Sequence, residues 1–254
     1  MRINVGQVLF ESASFYKKYF KKLAGISLGM ASASLVSTAY TYAMEYMQTT
    51  PNNVPLWLAL FSIVILVAAI LSFIIVIKLS LAMPILTNAL FDENGMTAKQ
   101  AFGQTKGKFW TIIRCSLLVG ILYMPSIAIM FSKIPFASVI GTIYIAFISA
   151  LFYTLVPMIA VEPKTNRYLS KSAKMIKGNY IPILLLTFIT VTALAVINGA
   201  LIYLFQGKEI ALLIVRVSYN IVYFFTYPFA GITSIFVYRQ LKTTHTLDST
   251  EIVG

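Results

Sequence analysis

A chain of 254 residues that is 59% hydrophobic and only 11% charged, with a mean hydropathy of +0.83, is not an ordinary soluble domain. Soluble domains carry about a quarter charged residues. The formal charge of +12 would suggest nucleic acid in a soluble chain, but here the cations flank long apolar runs, so a membrane and not a nucleic acid is the expected partner. The lone cysteine, Cys115, lies inside an apolar run, which excludes a disulfide framework and a cysteine-based metal site.

The N-terminal segment 9–22 sets Leu9, Phe10, Phe15, Tyr16, Tyr19 and Phe20 beside Lys17, Lys18, Lys21 and Lys22, as in an amphipathic helix at a membrane surface. An apolar run over 23–47 follows. It is too long for a signal peptide and reads as a retained span. Within it, Gly25, Gly29, Ala33, Ser37 and Thr41 recur at four-residue spacing, a small-residue stripe that lets another helix approach closely.

A ~30 Å hydrocarbon core needs about 20 apolar residues in a helix. Further runs of that length lie at 56–77, 109–131, 135–161, 180–205 and 210–238, giving six predicted spans. Between them, 97–106 and 168–177 have small and apolar residues at helical spacing with lysines interspersed, and are expected as short amphipathic surface helices. The phrase "QTKGKFWTII" at 104–113 returns as "MIKGNYIPIL" at 175–184, with a degenerate third copy, "YKKYFKKLAGI", at 16–26. Each copy opens a span, and each returning span carries a proline near its end: Pro84, Pro157 and Pro228. The fold class is therefore all-α: three helical hairpins of one orientation forming a single integral membrane domain over 1–247, with a short polar tail at 248–254.

Of the 20 Lys and Arg, all but Lys133, Lys208 and Arg216 fall on one side of these spans. By the positive-inside rule both termini are cytoplasmic, in a multi-pass protein of the bacterial cytoplasmic (inner) membrane. Lys17, Lys18, Lys21, Lys22, Lys106, Lys108, Lys174 and Lys177 form a basic collar that fixes topology and attracts anionic lipid, or docks a cytoplasmic partner.

Catalysis requires positioned acids, bases, nucleophiles or metal ligands. None of the eight acidic residues falls at the centre of a span, and the only histidine, His245, sits in the polar tail. Asp92, Glu93 and Glu162 follow Pro84 and Pro157 and are expected to cap or salt-bridge the surface helices. With no phosphate loop and no metal-ligand spacing, neither enzymatic activity nor a cofactor or metal is expected. The last span is more unusual: Arg216, Tyr219, Asn220, Tyr223 and Tyr227 share one helical face. Arg216 lies roughly 9 Å inside Ile210. It either snorkels outward, paired with Glu209 or Glu45, or lines a groove that takes a lipid headgroup or substrate.

The segments "VLFESASFYKKYFKKLAGISL" and "LFYTLVPMIAVEPKTNRYLSKSAKMIKGNYIPILLL", with the closing "FVYRQLK", resemble an uncharacterised bacterial inner-membrane family related to the membrane domain of glycerophosphoryl diester phosphodiesterases. The resemblance implies a six-helix membrane module and leaves its activity open. The soluble phosphodiesterase domain is lacking here, so no catalytic residue carries over. The leading expectation is a non-enzymatic membrane module that binds lipid or a membrane protein partner. The alternatives are a permease-like subunit working with a separate ATPase, and an immunity or assembly factor. For the permease, 97–106 and 168–177 would serve as coupling helices, although no acidic residue precedes Ala101 or Ala173 as in importer permeases.

Overall fold

A computed structural model describes residues 3–49, 56–130, 136–163, 165, 167–189, 200, 204 and 211–251. Within the helices it leaves several side chains outside that description, Ser37, Arg216, Tyr219 and Tyr223 among them. The described elements are helices: α1 (Val5–Thr49), α2 (Leu56–Phe91), α3 (Ala98–Gln104), α4 (Phe109–Met130), α5 (Ala137–Leu151), α6 (Leu155–Val161), α7 (Tyr168–Ile176), α8 (Tyr180–Ile189) and α9 (Ala211–Glu251). Five stretches are long and apolar enough to cross a membrane: Val5–Thr41, Ile63–Phe91, Phe109–Ile129, Val139–Val161 and Asn220–Thr244. The expected span 180–205 begins as α8, and most of its remainder lies outside the described residues.

Helix α1 overturns one expectation. Segment 9–22 is not a separate surface helix but the first part of a single 45-residue helix, about 68 Å long. Residues 7–24 hold neither Gly nor Pro to end it. Val8, Ser12, Leu23, Ile26, Met30 and Ala33 are all buried and return to one face at helical intervals. The same apolar stripe thus serves the basic segment and the span, and nothing favours a bend between them.

The partners of α1 are equally extended. Helix α2 continues through Pro84 to Phe91, well past residue 77. Helix α9 passes Pro228 and runs to Glu251, so the predicted tail boundary at 247–248 falls inside a helix. Helix α1 packs along both, and α4 packs along α5.

At their lysine-rich end the three long helices meet through aromatic rings. Phe15 stacks on Phe91 at 4.3 Å, and Phe91 meets Phe236 edge-on at 4.5 Å. Arg239 of α9 lies over the Phe91 ring and donates to Asp92 Oδ1 at 2.9 Å and Asn88 Oδ1 at 3.0 Å. Asp92 therefore binds α9 and not a surface helix, because the extension of α9 brings a guanidinium to the end of α2. Both short helices form where expected. Thr97 opens α3 with a capping box completed by Gln100, and α7 buries Tyr168, Ser172, Met175 and Ile176. Gly178, between α7 and α8, has φ +87°, a conformation that favours glycine.

The small-residue stripe is used in part. A Cβ on Gly25 would lie 3.8 Å from Ala98 Cβ, and one on Gly29 would lie 2.9 Å from Leu79 Cδ1. Ala33 is buried, whereas Thr41 is exposed and the Ser37 side chain lies outside the described residues. Each four-residue step precesses about 40° around a 3.6-residue helix, so the stripe leaves the interface as it ascends.

The tightest approach is one the stripe does not include: a Cβ on Gly231 would lie 2.7 Å from Met83 Cγ, where α9 crosses α2. Gly231→Leu should overpack this crossing and cost about 1–3 kcal/mol, read as a lower Tm of the purified protein in detergent. Gly103→Ala, with open space around its Cβ, should leave Tm unchanged or raise it. Equal behaviour of the two variants would contradict close packing at Gly231.

Candidate functional site

Pro157 sets up the polar centre of the lysine-rich end. Proline has no N–H, and its ring clashes with the carbonyl four residues earlier, here Tyr153. The expected continuous span 135–161 is accordingly broken: α5 ends at Leu151, residues 152–154 turn, and α6 restarts at Leu155. Helix α7 occupies the break. Ser172 Oγ donates to the carbonyl of Leu151 at 3.4 Å and pairs with Thr154 Oγ1 at 3.0 Å. A break of this kind leaves backbone groups exposed to an apolar interior, and hydroxyls from a neighbouring helix restore their partners.

Helix α6 then stops after about two turns, and its C-cap, Glu162, has extended backbone angles. The carboxylate points inward and is only 6% exposed. Lys171 Nζ of α7 lies 2.5 Å from Oε2, and the Tyr238 hydroxyl of α9 donates to Oε1 at 2.8 Å. Each carboxylate oxygen thus has a partner from a different helix. Glu162 bridges the surface helix α7, as the sequence suggested. Its second partner on the last span is legible only in three dimensions.

Lys108 corrects the predicted collar. It does not face solvent but turns inward, and its ammonium donates to the carbonyls of Ala160 and Glu162 at the end of α6. Those carbonyls lack helical partners and carry the negative end of the helix dipole. Burial pulls the Lys108 pKa below its ordinary value. Tyr168 completes the cluster by donating to the carbonyl of Pro163 at 2.9 Å.

The other collar lysines, Lys17, Lys18, Lys21, Lys22, Lys106, Lys174 and Lys177, are exposed. None forms an ion pair among the described residues. Lys18 and Lys22 lie near the Tyr19 ring, at 4.9 and 5.8 Å from its centroid.

The Arg216 face is described only in part, since the side chains of Arg216, Tyr219 and Tyr223 lie outside the described residues. Asn220 is buried and donates from Nδ2 to Thr38 Oγ1 of α1 at 3.3 Å. It borders an apolar cavity of about 250 Å³ with Leu28, Leu35 and Phe224. Tyr227 is half-buried against the core. Among the described residues, no three His, Cys, Asp or Glu side chains converge as metal ligands would.

Comparison with protein families, with curated proteins and with solved structures finds no match for this chain. The cluster is therefore read from its own geometry. Removing Glu162 would leave the Tyr238 hydroxyl without its acceptor, at a cost of about 1–3 kcal/mol, and the half-exposed Lys171 to water. Removing Lys171 would leave a buried carboxylate with no counter-charge, which costs about 3–5 kcal/mol. Lys171→Ala should therefore lower Tm in detergent by more than Glu162→Ala, and a larger loss from Glu162→Ala would contradict a buried, charged Glu162.

Proposed function

We propose that the chain is a non-enzymatic, multi-pass module of the bacterial cytoplasmic membrane, with both termini inside, whose lysine-rich end holds anionic lipid headgroups. The observation that carries this reading is the set of exposed lysines at that end: none forms an ion pair among the described residues. A protein that used these cations only for internal cohesion would pair them. Two of the carboxylates described nearby are committed elsewhere, Glu162 to Lys171 and Tyr238, and Asp92 to Arg239, while exposed Glu93 acts on Lys18 only at a distance, without forming an ion pair.

Basic side chains close to an anionic membrane surface gain about 1 kcal/mol each. Lys17, Lys18, Lys21 and Lys22 lie on consecutive turns of the rigid helix α1, so they meet such a surface together. Exposed Trp110, at the start of α4, fits the headgroup region, where an amphipathic ring has one apolar and one wet side. Helix α7 turns its apolar residues into the bundle and leaves Lys174 outward. That arrangement favours lipid contact over the coupling-helix role of a permease subunit.

The test is the headgroup preference of the purified protein in nanodiscs that mix phosphatidylglycerol with phosphatidylcholine. Enrichment of phosphatidylglycerol around the wild-type chain should fall on raising the salt concentration. It should also fall in a Lys17→Gln, Lys18→Gln, Lys21→Gln, Lys22→Gln variant. Enrichment that withstands both changes would sink the proposal.

A further inference from the structure

A cavity of about 470 Å³ lies between the first turns of α4 and the segment that leads into α7. Thr111, Arg114 and Leu118 line one side, and Thr165, Arg167 and Ser170 line the other. Among the described residues, no acidic side chain contributes to its walls. Neither arginine forms an ion pair among the described residues, and the buried carboxylate nearest in sequence, Glu162, is already engaged by Lys171 and Tyr238. Two cations brought to one cleft repel each other unless an anion lies between them.

The backbone adds to this field. Arg167 is the N-cap of α7 and provides no side-chain cap, and the first helical bond runs from the Lys171 N–H to the Arg167 carbonyl. The amides of the first turn have no acceptor within the helix, and the residues that carry them, Tyr168, Leu169 and Ser170, line the cavity at the positive end of the helix dipole. Guanidinium forks, hydroxyls and first-turn amides together form the donor set that receives a phosphate, whose oxygens accept several bonds at once.

The cavity volume falls within the range of sites that enclose small molecules and leaves room for more than the anion. Its Leu118 wall continues along the exposed face of α4 through Leu117 and Ile121, 65% and 63% exposed. Helix α4 is long and apolar enough to cross a membrane. An acyl chain running along that face would bring its headgroup to the two arginines.

We infer that the Arg114–Arg167 cleft is a discrete, one-to-one site for a phosphate anion, carried by a phospholipid headgroup or by free phosphate. The inference deepens the lipid reading above and rests on it for the orientation of this end toward the headgroups. It differs in kind, because the collar attracts lipid diffusely whereas the cleft holds one ligand.

Native mass spectrometry of the full chain, released from nanodiscs of phosphatidylcholine mixed with phosphatidylglycerol, counts the bound ligand. In parallel, the Tm of the chain in nanodiscs of phosphatidylcholine alone is followed as inorganic phosphate is added. Two variants test the cleft. Arg114→Gln with Arg167→Gln removes both charges. Ser170→Glu places a carboxylate in the first turn of α7, where it suits the helix dipole and so favours folding while it occupies the arginines.

One retained phosphatidylglycerol in the wild type, with occupancy reduced on the order of tenfold or more in both variants, supports the site with lipid as its source. A Tm rise with inorganic phosphate that both variants abolish, without a retained lipid, supports the site with free phosphate as its source. Occupancy and phosphate response unchanged in both variants would overturn the inference. So would loss of the single bound lipid in the collar variant and not in the cleft variants. Lipid enrichment that persists by way of the collar while the cleft variants have no effect would refute the cleft alone.

Discussion

A carboxylate taken out of water costs several kcal/mol unless charged and hydrogen-bonding partners replace its hydration. Glu162 is buried, so the elements around it must deliver those partners together. Lys171 arrives on α7, Tyr238 on α9, and Lys108 closes on the neighbouring carbonyls from the turn before α4. Elements remote in sequence are thereby fixed at one point. The break at Pro157 is a condition of the arrangement, because it ends α5 and lets the short α6 bring Glu162 to that point. Ser172, which satisfies the break, lies one residue from Lys171, so α7 serves both needs with adjacent side chains.

The same end of the molecule carries the extension of the three long helices. At about 1.5 Å per residue each exceeds the ~30 Å hydrocarbon core by a wide margin. The surplus is not a loose collar lying flat on a membrane. Stacking of Phe15 on Phe91 and the contact of Arg239 with Asp92, Asn88 and the Phe91 ring join α1, α2 and α9 in a folded body. Its exterior lysines are held in fixed relation to one another. A rigid array meets an anionic surface without the loss of conformational freedom that a flexible basic tail would suffer.

Much of this was legible in the sequence, and the failures have a common cause. Apolar length is a local signal: the five stretches of spanning length overlap five of the six predicted spans, and α3 and α7 form where short amphipathic helices are expected. Continuity was misjudged because a composition change at Lys22 looks like a boundary, while the buried stripe from Val8 to Ala33 crosses it unchanged. Lys108 was grouped with the collar because charge alone does not distinguish a solvated lysine from one facing helix-end carbonyls. The role of Tyr238 and the close approach at Gly231 are both defined by partners on other helices, so neither shows in the local sequence. The Arg114–Arg167 cleft was missed for the same reason: its two cations are far apart in sequence and meet only once α7 is docked.

The central claim is that one buried carboxylate couples α7 to α9. Hydrogen exchange of the full chain, wild type against Tyr238→Phe, tests it most directly, because the substitution keeps the ring and removes only the bond to Glu162. Coupling predicts that amides of α7 and of 232–241 lose protection together. Loss confined to 232–241, with α7 as protected as in the wild type, would contradict it.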